Sequence, residues 1–103
     1  MANTERLPRL SSKELLILDL LAAGYPKYGL ELVGESSGHL KRGTVYVTLG
    51  RMEDKGYLES EVEERRPGAV GLPRRRYRPT AFGLRVYEAW HLLRSTLAWG
   101  TRQ

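Results

Sequence analysis

Apolar residues follow two periods along this chain, and the switch between them marks its elements. From Leu15 to Leu21 they are nearly continuous, with Asp19 as the one interruption. Ser11 or Ser12 can cap a helix there, Glu14 sits near the position that closes a capping box, and Gly24 is a good stop. The pattern predicts a first helix ending near Ala23. A helix apolar all round is buried on more than one side. Either it is a central core helix, or it faces its own core on one side and a second subunit on the other. Gly24 to Lys27 reads as a turn, and Tyr28 to about Glu35 as a short second helix with Leu30, Leu32 and Val33 available for packing. Gly29 weakens that helix by roughly 1 kcal/mol relative to Ala. Either its conformational freedom or its lack of a side chain where helices cross accounts for it.

Lys41 to Lys55 reads as a third helix. Val45, Leu49 and Met52 stand at i, i+4 and i+7 and make one apolar stripe. Thr44, Val47, Thr48, Arg51 and Lys55 fall roughly opposite, on a polar and basic face flanked by Tyr46. Gly56 closes the helix. From Leu58 to Arg65, Glu59, Glu61 and Glu63 alternate with other residues, which is strand spacing. Pro67 to Pro73 holds two prolines and two glycines and must be a loop. Arg74 to Arg78 is a second strand with Tyr77 inward, so the pair makes a β-hairpin. Thr80 caps a last helix from Ala81 to about Trp99, about 28 Å long at 1.5 Å per residue. Within it Val86, Trp90, Leu93 and Leu97 keep the 4-3-4 spacing of a helix-pairing seam. Dimerisation through that seam, with Leu16 and Leu20 of the first helix, is the expectation; packing against the chain's own first helix is the alternative. Trp90 on the seam either lines a flat pocket for a planar apolar ligand or serves as a packing anchor.

The expected fold is therefore mainly α with a small β-hairpin: a winged helix-turn-helix over residues 1–79 and a long C-terminal dimerisation helix over 80–103. A length of 103 residues suits one domain with a modest core. Hydrophobic residues at 41% and charged residues at 28% place it among soluble globular chains. The absence of cysteine excludes disulfides, thiolate metal sites and thiol redox sensing. No secretory signal is evident and no apolar run is long enough to cross a membrane, so a cytoplasmic protein with no membrane partner is expected. His39 and His91 are isolated, so no triad, metal site, cofactor or enzyme activity is expected.

The net charge is +5, and its distribution matters more than its size. Six arginines and no acid lie between Arg65 and Arg78, directly after Glu59, Glu61, Glu63 and Glu64. A segregated field of this kind, beside a helix with a basic outer face, suits double-stranded DNA.

Four stretches carry a family resemblance. The run Leu15–Leu21 looks like an LxILxLL opening helix, and Tyr28–Leu32 (YGLEL) is similar to a YGYEI segment. Gly43–Leu58 (GTVYVTLGRMEDKGYL) resembles GTLYxxLxRLExxGLI, and Arg74–Gly83 resembles RRxYxLTxxG. Together they resemble the PadR-like family of bacterial transcriptional regulators. Val47 stands where that family often has Pro, and Gly50 where a basic or polar residue is usual.

The resemblance implies a homodimeric repressor on a pseudo-palindromic operator, with helix 41–55 in the major groove and wing 65–76 beside it. Lys41 and Arg42 would contact phosphates, Thr44 and Thr48 base edges or phosphates, and Val47 a thymine methyl. Arg51 is the candidate for a bidentate guanine contact or a phosphate. Tyr46 either approaches the DNA backbone or packs half-buried, and Lys55 completes the basic face. On the wing, Arg66, Arg74 and Arg76 are the candidates for phosphates or the minor groove, while Arg75 or Arg78 would neutralise the opposite glutamates. Some family members respond to phenolic or multidrug compounds, which makes a small aromatic effector the implied ligand near Trp90. The alternative use of the fold is a protein–protein adaptor or anti-repressor, to which the basic recognition face and wing would be superfluous. Double-stranded RNA is a poorer partner, because its major groove does not admit such a helix.

Overall fold

A computed structural model describes residues 8–64, 66–71 and 73–101, the last five by their backbone alone. The chain runs α1 (Ser12–Leu21), β1 (Lys27–Tyr28), α2 (Gly29–Glu35), α3 (Val45–Asp54), β2 (Leu58–Val62), β3 (Arg75–Pro79) and α4 (Ala81–Thr101). The expected order of helices and hairpin is present, with one strand added between α1 and α2.

Local chemistry starts and stops each helix. At α1 the Ser11 hydroxyl accepts from the Glu14 N–H (3.1 Å), and the Glu14 carboxylate accepts from the Ser11 N–H (2.9 Å), a complete capping box. The helix ends at Leu21, two residues before the expected Ala23, and Gly24 takes the left-handed turn at φ +103°. The third helix is shorter than expected: Lys41 to Thr44 form a turn in which the Lys41 carbonyl accepts from the N–H groups of Thr44 (3.1 Å) and Val45 (2.9 Å). Gly43 disfavours helix there, and Thr44, at φ −126°, stands outside it as the N-cap. At the other end the Tyr57 N–H reaches the Met52 carbonyl and the Gly56 N–H reaches Glu53, both at 2.9 Å. With Gly56 at φ +83° this is a Schellman stop.

The sheet is antiparallel in the order β1-β3-β2. Ser60 lies opposite Tyr77, Glu61 opposite Arg76, and Glu59 opposite Arg78. The added strand puts Lys27 opposite Tyr77 and Tyr28 opposite Arg76. Two residues are too few to show a period-two pattern, so only the free edge of β3 reveals this strand.

One core joins every layer. Ile17, Leu18 and Leu21 of α1 meet Leu32 of α2, Val45, Leu49 and Met52 of α3, Tyr57, Leu58 and Tyr77 of the sheet region, and Val86 of α4. The predicted stripe of the third helix and the inward Tyr77 are both in it. Val86 is buried in this core, so it is withdrawn from the seam expected for a second subunit. Further along α4, Tyr87 donates to Asp19 (2.6 Å) and the Trp90 indole N–H donates to the Pro8 carbonyl (2.8 Å). The near half of α4 thus packs on α1, the alternative weighed from the sequence. The far part carries Leu92 at 67% and Leu93 at 37% exposure. The radius of gyration is 16.0 Å, against roughly 13 Å for a compact chain of this length, consistent with a projecting helix.

The joint between the wing and α4 is tight. Thr80 caps α4 by accepting from the Gly83 N–H (2.9 Å), and its own hydroxyl donates to the Gly56 carbonyl (2.6 Å). A Cβ built on Gly83 would lie 2.1 Å from the Tyr57 carbonyl oxygen. That neighbour is backbone and cannot rotate away. Gly83→Ala is expected to lower stability by about 2–3 kcal/mol in urea unfolding. An unchanged midpoint would show that α4 can move off the Tyr57 carbonyl without cost.

Candidate nucleic-acid interface

Burial of Val45, Leu49 and Met52 turns the remaining side of α3 outward. Tyr46 and Val47 are 49% and 55% exposed, Arg51 is exposed, and Thr48 is half-buried. Thr48 makes a long bond back to the Thr44 carbonyl at 3.4 Å. Lys41, Arg42 and Arg51 form no ion pair among the described residues. Their charges remain available, in a turn (Lys41, Arg42) and on the helix itself (Arg51). Thr44, Val47, Thr48 and Arg51 face a groove of about 490 Å³ whose other wall is Ser11, Lys13 and Glu14 at the start of α1.

Lys55 has a different setting. Its ammonium pairs with the Glu14 carboxylate at 2.7 Å, with side-chain exposures of 45% and 7%. The charge that the sequence assigned to the outer face is tied to the α1 cap. Burial pushes the Glu14 carboxyl up, but Lys55 and the Ser11 N–H and hydroxyl outweigh it and hold the group below its ordinary value.

Tyr46 lies on the other flank of α3, against α2. A Cβ on Gly29 would meet its ring at 2.6 Å, so the missing side chain of Gly29 is what admits the ring. This is the helix-crossing reason for that glycine. Tyr46, Tyr28 and Tyr77, with Leu30, Arg74 and Arg75, line a cleft of about 570 Å³ between α2, α3 and the wing.

The wing is less open than its arginine count implied. Arg78 pairs with Glu59 (2.9 Å) and Glu61 (3.4 Å). Arg74 pairs with Glu63 at 2.9 Å, and its guanidinium stacks 4.2 Å from the centre of the Tyr28 ring. The Tyr28 hydroxyl also donates to Glu63. That bond, followed by Arg74, holds the Glu63 carboxyl low. Arg75 donates to the Ser60 hydroxyl at 3.1 Å, and Arg76 lies 5.8 Å from the Tyr28 ring centre. Arg66 is exposed at the start of the tip turn, where its carbonyl accepts from Ala69 (3.1 Å). Arg65 lies outside the described residues. Of the two arginines expected to answer the glutamates, Arg78 does so. Arg74, expected among the DNA contacts, is paired inside the chain.

Sequence reasoning placed Glu14 in the α1 cap but not beside Lys55, and Glu63 in the wing's acidic run but not against Arg74 and Tyr28. A signal for the second existed. Glu59, Glu61, Glu63 and Arg74, Arg76, Arg78 both run at period two, so any register that sets one run against the other places both on one face. On the expected dimer side, Leu16 and Leu20 are half-buried against the core, and Trp90 is half-buried with its indole N–H bonded to Pro8. The Leu97 side chain lies outside the described residues. Among those residues no group of three or more His, Cys, Asp or Glu could hold a metal, and no helix is long and apolar enough to cross a membrane.

Two helices joined by a turn, the second presenting a basic outer face, with a hairpin wing beside it, define a winged helix-turn-helix regulator. The description "Transcriptional regulator PadR-like family" matches residues 17–89, and the chain belongs to that family. Solved structures agree. A PadR family transcriptional regulator from Eggerthella lenta DSM 2243 is 31% identical, with 84% of this chain and 75% of that chain covered and a TM-score of 0.68. A PadR family regulator from Clostridium difficile R20291 is 29% identical over 84% of this chain and 95% of its own, at a TM-score of 0.61. A PadR-like transcription factor from Bacteroides fragilis shares the fold at 23% identity and a TM-score of 0.72, over 85% and 84% of the two chains. No curated protein matches the chain significantly.

The Glu14–Lys55 pair has a readout separate from DNA. Lys55→Met leaves a buried carboxylate without its ion partner and is expected to cost roughly 1–2 kcal/mol in urea unfolding, discounted for the half-exposed lysine. Because the folded Glu14 value is depressed, its stabilising contribution is complete above the ordinary 4.5 and is lost as pH falls through the depressed value. Glu14→Gln is expected to flatten the acid limb of the stability curve. Identical acid limbs in variant and wild type would remove Glu14 from the account.

Proposed function

We propose that this chain is a homodimeric, sequence-specific repressor that reads a pseudo-palindromic DNA operator with α3. The observation that carries the reading is the open face of α3, where Arg51 stands exposed beside Thr44, Val47 and Thr48, without an acidic partner among the described residues. In the major groove Arg51 takes the N7 and O6 acceptors of a guanine, the two threonines meet base edges or phosphates, and Val47 meets a thymine methyl. Lys41 and Arg42, in the turn before α3, contact the phosphates that set its register, with Tyr46 at the backbone on the wing side. Arg66 and Arg76 supply the wing's contacts. Dimerisation uses the exposed far half of α4, Leu92 and Leu93, with Leu16 and Leu20 of α1 alongside. Twofold symmetry then places half-sites one helical turn apart or a multiple of it. Repression follows from occupancy, since a dimer seated on a promoter excludes other proteins from the same groove.

Selection from genomic duplex fragments at ~0.15 M salt is the test. An enriched inverted repeat is expected, and Arg51→Ala is expected to weaken binding to it by about 1–3 kcal/mol while sparing non-specific DNA. Binding without enrichment would refute sequence-specific reading. An equal loss on all DNA would make Arg51 a phosphate contact.

A further inference from the structure

The outer face of the hairpin is a ladder of opposed charges. Glu59 and Glu61 stand directly opposite Arg78 and Arg76, and the Glu63 N–H continues the ladder to the Arg74 carbonyl at 2.8 Å. The last rung differs from the others. Arg74 Nη2 donates to both Glu63 oxygens, at 2.9 and 3.3 Å, and Nε adds a third contact at 3.4 Å. The pair is held from outside as well: the Tyr28 hydroxyl donates to Glu63, and the Tyr28 ring supports the guanidinium. Tyr28 is itself anchored, because β1 pairs it with Arg76 and its N–H is bonded to Glu31 at 2.8 Å. A guanidinium fork that engages two carboxylate oxygens uses the donors with which it would engage a DNA phosphate.

We propose that Glu63 is an internal competitor for DNA phosphate: seated by Tyr28, it masks Arg74 and limits the sequence-independent attraction of the wing. The inference rests on the DNA-binding reading above and adds a residue that opposes binding. Phosphate contacts act on every duplex alike, so a masked wing arginine lowers retention on unrelated DNA. Lys41, Arg42 and Arg51, which form no ion pair among the described residues, are left to engage DNA from α3 and the turn before it.

Binding of the full chain to an unrelated duplex, measured across a salt series, tests the inference. Glu63→Gln is expected to raise affinity roughly three- to tenfold at ~0.1 M salt and to steepen the slope of log K against log salt by about 0.9, one added phosphate. Glu64→Gln removes the same charge one residue away from an exposed glutamate that forms no ion pair among the described residues, and is expected to give a smaller gain. In the double variant Glu63→Gln/Arg74→Met the extra gain should vanish. Weaker binding by Glu63→Gln would show that the pair braces the wing for DNA, and a gain no larger than that of Glu64→Gln would reduce it to net charge. Either result overturns the proposal. Retention on heparin separates this inference from the wider reading. If the wild type bound no duplex, the repressor assignment would fall. Later elution of Glu63→Gln than of Glu64→Gln would still establish the mask, and equal elution would refute it.

Discussion

The interface depends on the burial of one stripe of α3. Val45, Leu49 and Met52 are almost wholly withdrawn from solvent, against α1 and the sheet. Each such side chain contributes about 1.5–3 kcal/mol when fully buried, so the three together outweigh any single surface contact. A helix is rigid in cross-section. Once that stripe is inside, Thr44, Val47, Thr48 and Arg51 have no option but the outside. The face offered to DNA is a consequence of the core, to which all four helices, β2 and β3 contribute.

Two residues without side chains then set the geometry around this helix. Gly29 admits the ring of Tyr46, which fixes the angle between α2 and α3 on the side toward the wing. Gly83 admits the Tyr57 carbonyl, which fixes α4 against the segment that leads into the wing. Thr80 completes the second joint by bonding to the backbone on both sides of it. The same side chain caps a helix and ties that helix to the end of α3. Recognition helix, wing and projecting helix are thereby held in one frame.

Charge is distributed unevenly over this frame. On the wing, Arg74 and Arg78 pair with glutamates of the adjacent strand; on α3 and the turn before it, Lys41, Arg42 and Arg51 form no ion pair among the described residues. Net charge alone hides the difference, since a formal +5 is compatible with either distribution. The pairing register decides it. With Glu59 opposite Arg78, the two period-two runs fall on one face of the hairpin, and the charges of Arg74 and Arg78 are answered there by glutamates.

Much of this was legible in the sequence. The helices, the hairpin, the apolar stripe of α3, the inward Tyr77 and the outward Arg51 follow from periodicity and caps, because these are local properties of the chain. The family motifs are legible for the same reason. The two-residue β1 was not, since its only signal is a partner strand some 50 residues away in the chain. Nor was the end of the third helix's basic face: Lys55 reads as a free charge until α1 brings Glu14 to it across 41 positions. The seam of the last helix was legible as a pattern but not as a destination. Val86 is buried and Trp90 half-buried in the chain's own fold, and of the seam Leu93 is exposed among the described residues. Sequence by itself determined which segments form which elements and which face of each is apolar, because those depend on neighbours within a turn or a strand pair. Tertiary structure alone decided which charges stay free, because an ion pair depends on what another part of the chain places within a few ångströms.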